Sequence, residues 1–354
     1  MKPINYLLQT IFVVFSCTLY ATTQEAAPQR VIQGGTEKHV NLLLFSQPHS
    51  PVAGKLPENQ DAFFFIKMEY DVKGLHDSFY TFTVSDGHGP NGADVSKMIV
   101  DPKNGLAAKI HLSLDMLLRM EGPKMESVAG VITERIQAYQ LSLPPSTVVK
   151  SGATFVSALL WVSSDTKRVE LVLTTLGDSS WILRLGEVCH KGPLHHTSLA
   201  SERQVYGNLA FQLFSSGWRV GTLEHHLNVT RGIGDTFFET IGPQPQEEKK
   251  ASISHAIMAH RLTPSIQIFS FSYEEFQSLP FALVLYSDGL YQKDVEGLLQ
   301  KTVTEGNPLA CTRSRRQLLQ DLLSAAQKHG KKDDATAMII FPPLLPTLED
   351  VPSP

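Results

Sequence analysis

Apolar residues recur along this chain in two rhythms. In Leu106 to Met120, residues Ile110, Leu114, Leu117 and Leu118 fall at helical spacing and share one face. Glu126 to Leu141 repeats the spacing with Val128, Val131, Ile132, Ile136 and Tyr139, and Pro144-Pro145 ends that helix because proline has no amide hydrogen to donate. Val295 to Val303 and Ser314 to His329 read as two further helices. The second rhythm is that of strands. Ala62 to Tyr70, rich in aromatics, and Ser78 to Ser85, which alternates, form a hairpin pair with Val72-Lys73-Gly74 in the turn. Ala153 to Val162, Arg168 to Leu176 and Ser180 to Leu185 follow as three strands, and the short polar turns between them favour antiparallel pairing. Gln267 to Phe271, Phe281 to Ser287 and Ala335 to Phe341 complete the set, with Val40 to Phe45 expected as an edge strand.

Helices therefore come in pairs between groups of strands. Strict strand–helix alternation would predict a parallel doubly wound sheet. This order predicts an α+β fold in which two packed, mainly antiparallel sheets carry helices on their outer faces, an α-β-β-α sandwich. The segment from Pro243 to Ser254 is polar and charged and reads as an exposed loop. The tail 343–354 is proline-rich and acidic and is expected to be extended.

Composition narrows the function. The chain has 354 residues, of which 42% are hydrophobic and 19% charged, enough apolar material for a large core. A net charge of −4 argues against nucleic-acid binding, which calls for a basic excess. The compact basic cluster Arg313, Arg315 and Arg316 reads as a solvated helix start. At the N-terminus, Lys2 precedes an uncharged apolar stretch from Tyr6 to Tyr20, the length of a signal-peptide core and short for a membrane span. Residues 1–21 are thus expected to be a signal peptide cleaved after Ala21, with a retained membrane anchor as the alternative. The expected location is secreted or periplasmic, or membrane-anchored if the segment stays. Beyond that segment only Cys189 and Cys311 remain, too few for a disulfide framework, so free thiols are expected.

Acids stand at the ends of the buried runs. Asp86 closes Ser78 to Ser85, Asp288 closes Phe281 to Ser287, Asp61 precedes Phe63-Phe64-Phe65, and Asp333-Asp334 precede Ala335 to Phe341. Gathering carboxylates at strand mouths is costly unless something cationic holds them. The pattern indicates a metal-centred hydrolase. A competing signal is Gly87-His88-Gly89-Pro90-Asn91-Gly92, which matches the dinucleotide-binding G-x-G-x-x-G and precedes an apparent helix from Ala93 to Ile99. That reading needs a parallel βαβ unit with an acid about twenty residues on. Here helix follows helix until Ala153, and Asp86 would face the pyrophosphate with negative charge.

The block Ser85-Asp86-Gly87-His88-Gly89 resembles the Asp-Gly-His-Gly motif of the metal-dependent, type 2C protein serine/threonine phosphatases. Further blocks resemble that family in its own order: Asn59-Gln60-Asp61-Ala62-Phe63, Ser151-Gly152-Ala153-Thr154, Leu176-Gly177-Asp178-Ser179, Thr230-Arg231-Gly232-Ile233-Gly234-Asp235, Tyr286-Ser287-Asp288-Gly289-Leu290 and Lys332-Asp333-Asp334-Ala335-Thr336. The resemblance spans nearly all of the chain after the leader and implies one phosphatase domain over 22–342. It implies two Mn²⁺ or Mg²⁺ ions, with a third weaker position, that activate water against a phosphate monoester. Asp86 would bridge the metals and the Gly87 carbonyl would bind one of them. Asp288 and Asp333 would hold the first metal, Asp61 would belong to the second, and Asp178 would serve the third. The family spacing favours Asp333 over Asp334. His88 would be the general acid. The implied partners are phosphorylated proteins carrying phosphoserine or phosphothreonine, and a monomer is expected.

Some features stand outside this scheme. The pairs His195-His196 and His225-His226 could suggest zinc, but neighbours on a strand face opposite ways, so surface histidines are the expected reading. Gly152, Gly177 and Gly234 are expected to serve tight turns, and Asp235 is open between a structural and a supporting role. Asn228-Val229-Thr230 is a glycosylation sequon read as accidental. Departures from the family pattern matter too. Where many members place a phosphate-binding arginine, this chain has Leu56, with Lys55 beside it as the candidate substrate-binding residue. A lysine is a point charge and lacks the bidentate fork of arginine. Pro90 and Ser180 also depart from the pattern. The aspartates are intact, which favours an active phosphatase; the lost arginine favours the alternative, a catalytically weak binding or regulatory module.

Overall fold

Two antiparallel sheets lie face to face, and helices cover the outer side of each. The computed structural model describes residues 31–36, 41–47, 59–72, 75–118, 125–163, 166–206, 211–214, 217–221, 226–237, 257–278, 280–304, most of 317–326, and 333–341. Residues 1–21, expected as a leader, Lys55 and Leu56, residues 243–254, expected as a loop, Cys311 and the Arg313 cluster, and residues 343–354 lie outside the described residues.

The chain opens with β1 (Val31–Thr36) and β2 (Asn41–Gln47), then the long hairpin β3 (Asp61–Val72) and β4 (Leu75–His88). Helices α1 (Gly92–Ile99), α2 (Leu106–Leu118), α3 (Met125–Ser142) and the single turn α4 (Pro145–Val148) follow. Next come β5 (Gly152–Ala153), β6 (Phe155–Ser163), β7 (Arg168–Leu176), β8 (Ser180–Leu185), β9 (Val188–Lys191) and α5 (Ala200–Tyr206). The short strands β10 (Phe211–Phe214), β11 (Gly217–Gly221) and β12 (His226–Leu227) form a small sheet of their own. Then come β13 (Ile233–Gly234), β14 (Ser265–Ser272), α6 (Tyr273–Ser278), β15 (Phe281–Tyr286), α7 (Gln292–Thr304), helical residues in 317–326, and β16 (Ala335–Phe341).

One large sheet runs β1-β2-β16-β15-β8-β9, and the other β13-β5-β4-β6-β7-β14 with β3 also on β4. Apolar side chains alternate between layers. Along β6, Phe155, Leu159 and Trp161 face α1 to α3, while Val156, Ala158, Leu160 and Val162 face the other sheet. Along β15, Phe281, Leu283 and Leu285 point between the sheets, while Ala282, Val284 and Tyr286 point at α7 and the helical residues Leu318 and Leu322. Both faces of these strands are covered, so they read as unbroken apolar runs rather than as alternation.

Three expectations need correction. The strand at Asn41–Gln47 is not an edge: β1 covers one side of it and β16 the other. The expected strand from Ala153 to Val162 breaks at Thr154 into β5 and β6, because Thr154 turns its backbone to Asp86. Finally, β7 and β8 do not pair. The turn Gly177-Asp178-Ser179 carries the chain from one sheet to the other, with Gly177 at φ 117°, where a side chain would be strained.

His195 closes that crossing, so it is not a surface residue. It is buried. Its amide donates to the Gly177 carbonyl at 2.8 Å, and its Nδ1 accepts the Gly177 amide at 3.1 Å. An acceptor Nδ1 requires a neutral ring with the proton on Nε2, which donates to Ser265 Oγ at 2.9 Å. Burial, reinforced by the Arg231 charge, accordingly lowers the His195 pKa to about 3. Burial lowers that of His111, which packs by Thr81 and Met68, to about 4.

The unfolded chain takes up protons on these rings before the folded one does. The stability held by the neutral rings is therefore complete above about pH 6.5 and is lost as pH falls toward 4 and 3. Urea denaturation at pH 7 and pH 4 should show a loss on the order of 1 to 3 kcal/mol per histidine. His195→Gln, which keeps one acceptor and one donor, should flatten part of that slope; an unchanged slope would remove His195 from the account.

Candidate metal centre

Asp61 opens β3, Asp86 lies near the end of β4, and the two are direct cross-strand partners. Like charges in that register oppose pairing. The strand ends are instead held by neutral groups. Ser287, which follows β15 in the opposite sheet, donates its hydroxyl to Asp61 Oδ2 at 2.7 Å and accepts the Thr336 amide at 2.9 Å. Asn59 Oδ1 accepts the Asp61 amide at 3.0 Å, and its Nδ2 donates to Ser46 Oγ at 2.8 Å. Ser46 and Thr336 share a hydroxyl hydrogen bond of 2.7 Å. These groups join the two sheets at their acidic end.

A second set of bonds fixes Asp86. Its amide donates to Thr154 Oγ1 at 3.2 Å, and its carbonyl accepts the Thr154 amide at 2.9 Å. The Ser85 hydroxyl donates to the Thr154 carbonyl at 2.8 Å. Thr154 and Ser179 share a 2.6 Å hydroxyl bond, which draws the Gly177-Asp178-Ser179 turn against Asp86. On the other flank the Asp288-Gly289 turn packs on the Asp334-Ala335 backbone: a Cβ on Gly289 would lie 1.9 Å from the Asp334 carbonyl oxygen. The two acids divide. Asp334 is buried and accepts the Gln60 amide at 2.5 Å, while Asp333 is exposed.

The electrostatics follow from this gathering. Burial first, and then the charges of Asp61, Asp288, Asp178 and Asp333, raise the Asp86 carboxyl well above its ordinary value. Burial, with Asp334 and Asp288 adding, raises Asp61 to about 8 against the opposing hydrogen bond from Ser287. The charges of the other aspartates that the sequence proposes as ligands thus all act on Asp86. Asp61 Oδ1 is buried without a hydrogen-bond partner, as suits an oxygen reserved for a cation. Among the described residues no three such side chains converge into a ready-made ligand cage. The fit to hard cations rests on the clustered charge, on that orphaned oxygen and on an all-oxygen donor set.

The glycines of the apparent dinucleotide motif serve close backbone contacts. A Cβ on Gly87 would lie 2.2 Å from the Gly92 carbonyl oxygen, so α1 packs directly on the Asp86-Gly87 backbone. β4 pairs antiparallel with β3, β5 and β6, so no parallel βαβ unit surrounds the motif. His88 ends β4, partly exposed, with Nε2 2.7 Å from Asp235 Oδ2. Arg231 is engaged by an acid of a neighbouring helix. Its Nη2 and Nε grip Glu202 of α5 at 2.6 and 3.1 Å, and Thr230 adds a third bond at 2.7 Å. Burial works to raise the Glu202 pKa, but hydrogen bonds from His260, Arg231 and Thr230 outweigh it and hold the carboxyl well below the usual range.

No family model matches the sequence, and no curated protein does. Solved structures match it. A serine-threonine phosphatase 2C from Toxoplasma gondii aligns over 90% of this chain and 100% of its own, with a TM-score of 0.55 at 14% identity. A sex determining protein of C. elegans aligns over 87% of this chain at a TM-score of 0.52 and 17% identity, and this chain spans 66% of its length. What is shared at such identities is the fold, and the chain has that of the type 2C serine/threonine phosphatases.

Charge repulsion around Asp86 yields a two-sided expectation. Mn²⁺ at a hundred times its Kd should stabilise the protein by about 2.7 kcal/mol, read as a rise in Tm of several degrees. Asp86→Asn should abolish that rise, yet leave the metal-free Tm equal to or above that of the wild type, because one repelling charge is gone. A metal-free variant clearly less stable than the wild type would contradict the account.

Proposed function

We propose that the chain is a metal-dependent phosphoprotein phosphatase that releases phosphate from phosphoserine and phosphothreonine. The observation that carries the reading is the gathering of Asp61, Asp178, Asp288 and Asp333 around Asp86 where the two sheets meet, in a chain with the type 2C fold. Asp86, Asp61, the Gly87 carbonyl, Asp288 and Asp333 would hold two divalent ions, with Asp178 at a third. When bound, Mn²⁺ or Mg²⁺ supplies charge for the phosphoryl oxygens and a water of lowered pKa.

The remaining roles fall to the chain. The Thr154 and Ser287 hydrogen bonds keep Asp86 and Asp61 in register, so that the phosphorus can be approached in line. His88, at the strand end two residues from Asp86, gives a proton to the departing seryl or threonyl oxygen. Such an alkoxide is a poor leaving group unless protonated. Lys55 would contact the substrate phosphate in place of arginine. Residues 1–21 would direct export to a secreted or periplasmic location, or tether the domain of residues 22–342 if uncleaved. Among the described residues no helix is long and apolar enough to cross a membrane.

Purified protein lacking residues 1–21 should hydrolyse 4-nitrophenyl phosphate and phosphoserine peptides with Mn²⁺. Chelator or Asp86→Asn should reduce kcat by roughly a hundredfold or more. Absence of metal-dependent turnover on both substrates would favour the alternative, a phosphatase-like binding or regulatory module, which Leu56 in place of arginine supports. Fractionation of the native protein addresses location: a cytosolic product with an intact N-terminus would overturn export.

A further inference from the structure

His88, Asp235 and Arg261 come from three distant parts of the chain and form one line of contacts. His88 ends β4 in register with Gly152 of β5, and Gly152 is in register with Gly234 of β13. Asp235 follows directly. Its backbone sits at φ 54°, a left-handed conformation that is strained for a residue with a side chain. Two bonds hold it there: the Asp235 amide donates to the Ser151 carbonyl at 2.9 Å, and the Gly234 amide donates to Gln140 Oε1 at 2.7 Å. A Cβ on Gly152 would lie 2.4 Å from Asp235 Oδ2, so glycine there leaves room for the carboxylate to reach His88.

Arg261 completes the line. It ends the helical turn at 257–261 and is fully buried. It clamps the Thr230 to Asp235 segment at three points. The Arg261 carbonyl accepts the Gly232 amide at 3.2 Å, Nη1 donates to the Thr230 carbonyl at 3.3 Å, and Nη2 donates to Asp235 Oδ2 at 2.7 Å. The same carboxylate oxygen meets His88 Nε2 at 2.7 Å. A strained acid, a glycine cleared for it and a buried cation bound to it all converge on one imidazole nitrogen. Burying an arginine and an aspartate for packing alone is a poor source of stability, since apolar residues of equal volume do as well or better.

We propose that Asp235 and Arg261 are positioning residues for His88: Arg261 locks the Asp235 carboxylate, which accepts Nε2–H and leaves Nδ1 as the nitrogen that serves the reaction. The proposal rests on the reading of His88 as general acid. The Nδ1 proton passes to the leaving oxygen as the phosphorus–oxygen bond breaks, and the ring keeps Nε2–H on Asp235.

Leaving-group dependence separates positioning from structural support. A seryl oxygen needs a proton as it departs, whereas a 4-nitrophenolate does not. Three variants serve: Asp235→Asn, Arg261→Lys, and the double variant Asp235→Asn with Arg261→Met, which leaves no buried charge unpaired and guards against misfolding. Asp235→Asn and the double variant should raise the kcat ratio of 4-nitrophenyl phosphate to phosphoserine peptide by about tenfold or more, within the range of general-acid effects, with KM little changed. Arg261→Lys, which keeps the charge, should raise it less. An unchanged ratio in variants that melt like the wild type would overturn the proposal, whether activity falls on both substrates or on neither. A wild type inactive on both substrates with Mn²⁺ would instead fail the reading of function, and the proposal would fall with it.

Discussion

The hydroxyl of Ser287 joins the two sheets at the point where their charges collide. It belongs to the turn after β15 in one sheet, and it donates to Asp61 at the start of β3 in the other. A cation in that place would neutralise the acid and compete with any metal. An apolar residue would leave the buried carboxylate unsolvated. A hydroxyl does neither: it satisfies one carboxylate oxygen, accepts the Thr336 amide, and leaves Asp61 Oδ1 open. The alignment of Asp288 and Asp333 with Asp61 depends on this joint, because both acids sit on the backbone that Ser287 and Thr336 hold together.

The same logic of neutral fasteners extends to Asp86 through Thr154 and Ser179. Here the fasteners shape the fold itself. Thr154 interrupts a strand that would otherwise run on from Ala153, and the turn it holds takes the chain across from β7 to β8. Close backbone approach does the rest: Gly87 lets α1 pack on the Asp86 backbone, and Gly289 lets the Asp288 turn lie on Asp334. The acidic end of the sandwich is assembled from backbone, glycine and hydroxyl groups, none of which carries charge into the centre.

Much of this was legible in the sequence, and for physical reasons. Asp86, Asp288, Asp61 and Asp333 each stand at the end of an apolar run, and strand ends are where a face-to-face sandwich brings side chains together. The buried strands β7, β8 and β16 could be read to the residue, since an apolar run bounded by polar turns has few alternatives. Pairing was less legible. A short Gly-Asp-Ser turn looks like a hairpin whether it returns to the same sheet or crosses to the next, and only the left-handed Gly177 and its bonds to His195 decide. His195 itself looked like half of a surface pair, because its burial comes from residues around Gly177, Thr230 and Ser265 that are distant in sequence. Arg261 carried no local signal at all; its meaning lies in a carboxylate 26 residues earlier.

The arginines sort the acids of this protein into two kinds. Glu202 meets the Arg231 guanidinium and Asp235 meets that of Arg261, and both are fixed by it. Asp61 and Asp86 are acted on by burial and by other carboxylates, and both are pushed toward the protonated form. Arg231 and Arg261 are thus bound to acids outside the centre, and neither guanidinium relieves the crowding of Asp61 and Asp86. Carboxylates crowded in this way would repel an anionic ligand and favour a cation. If the chain is the phosphatase proposed above, metal occupancy would then govern substrate affinity as well as the chemical step.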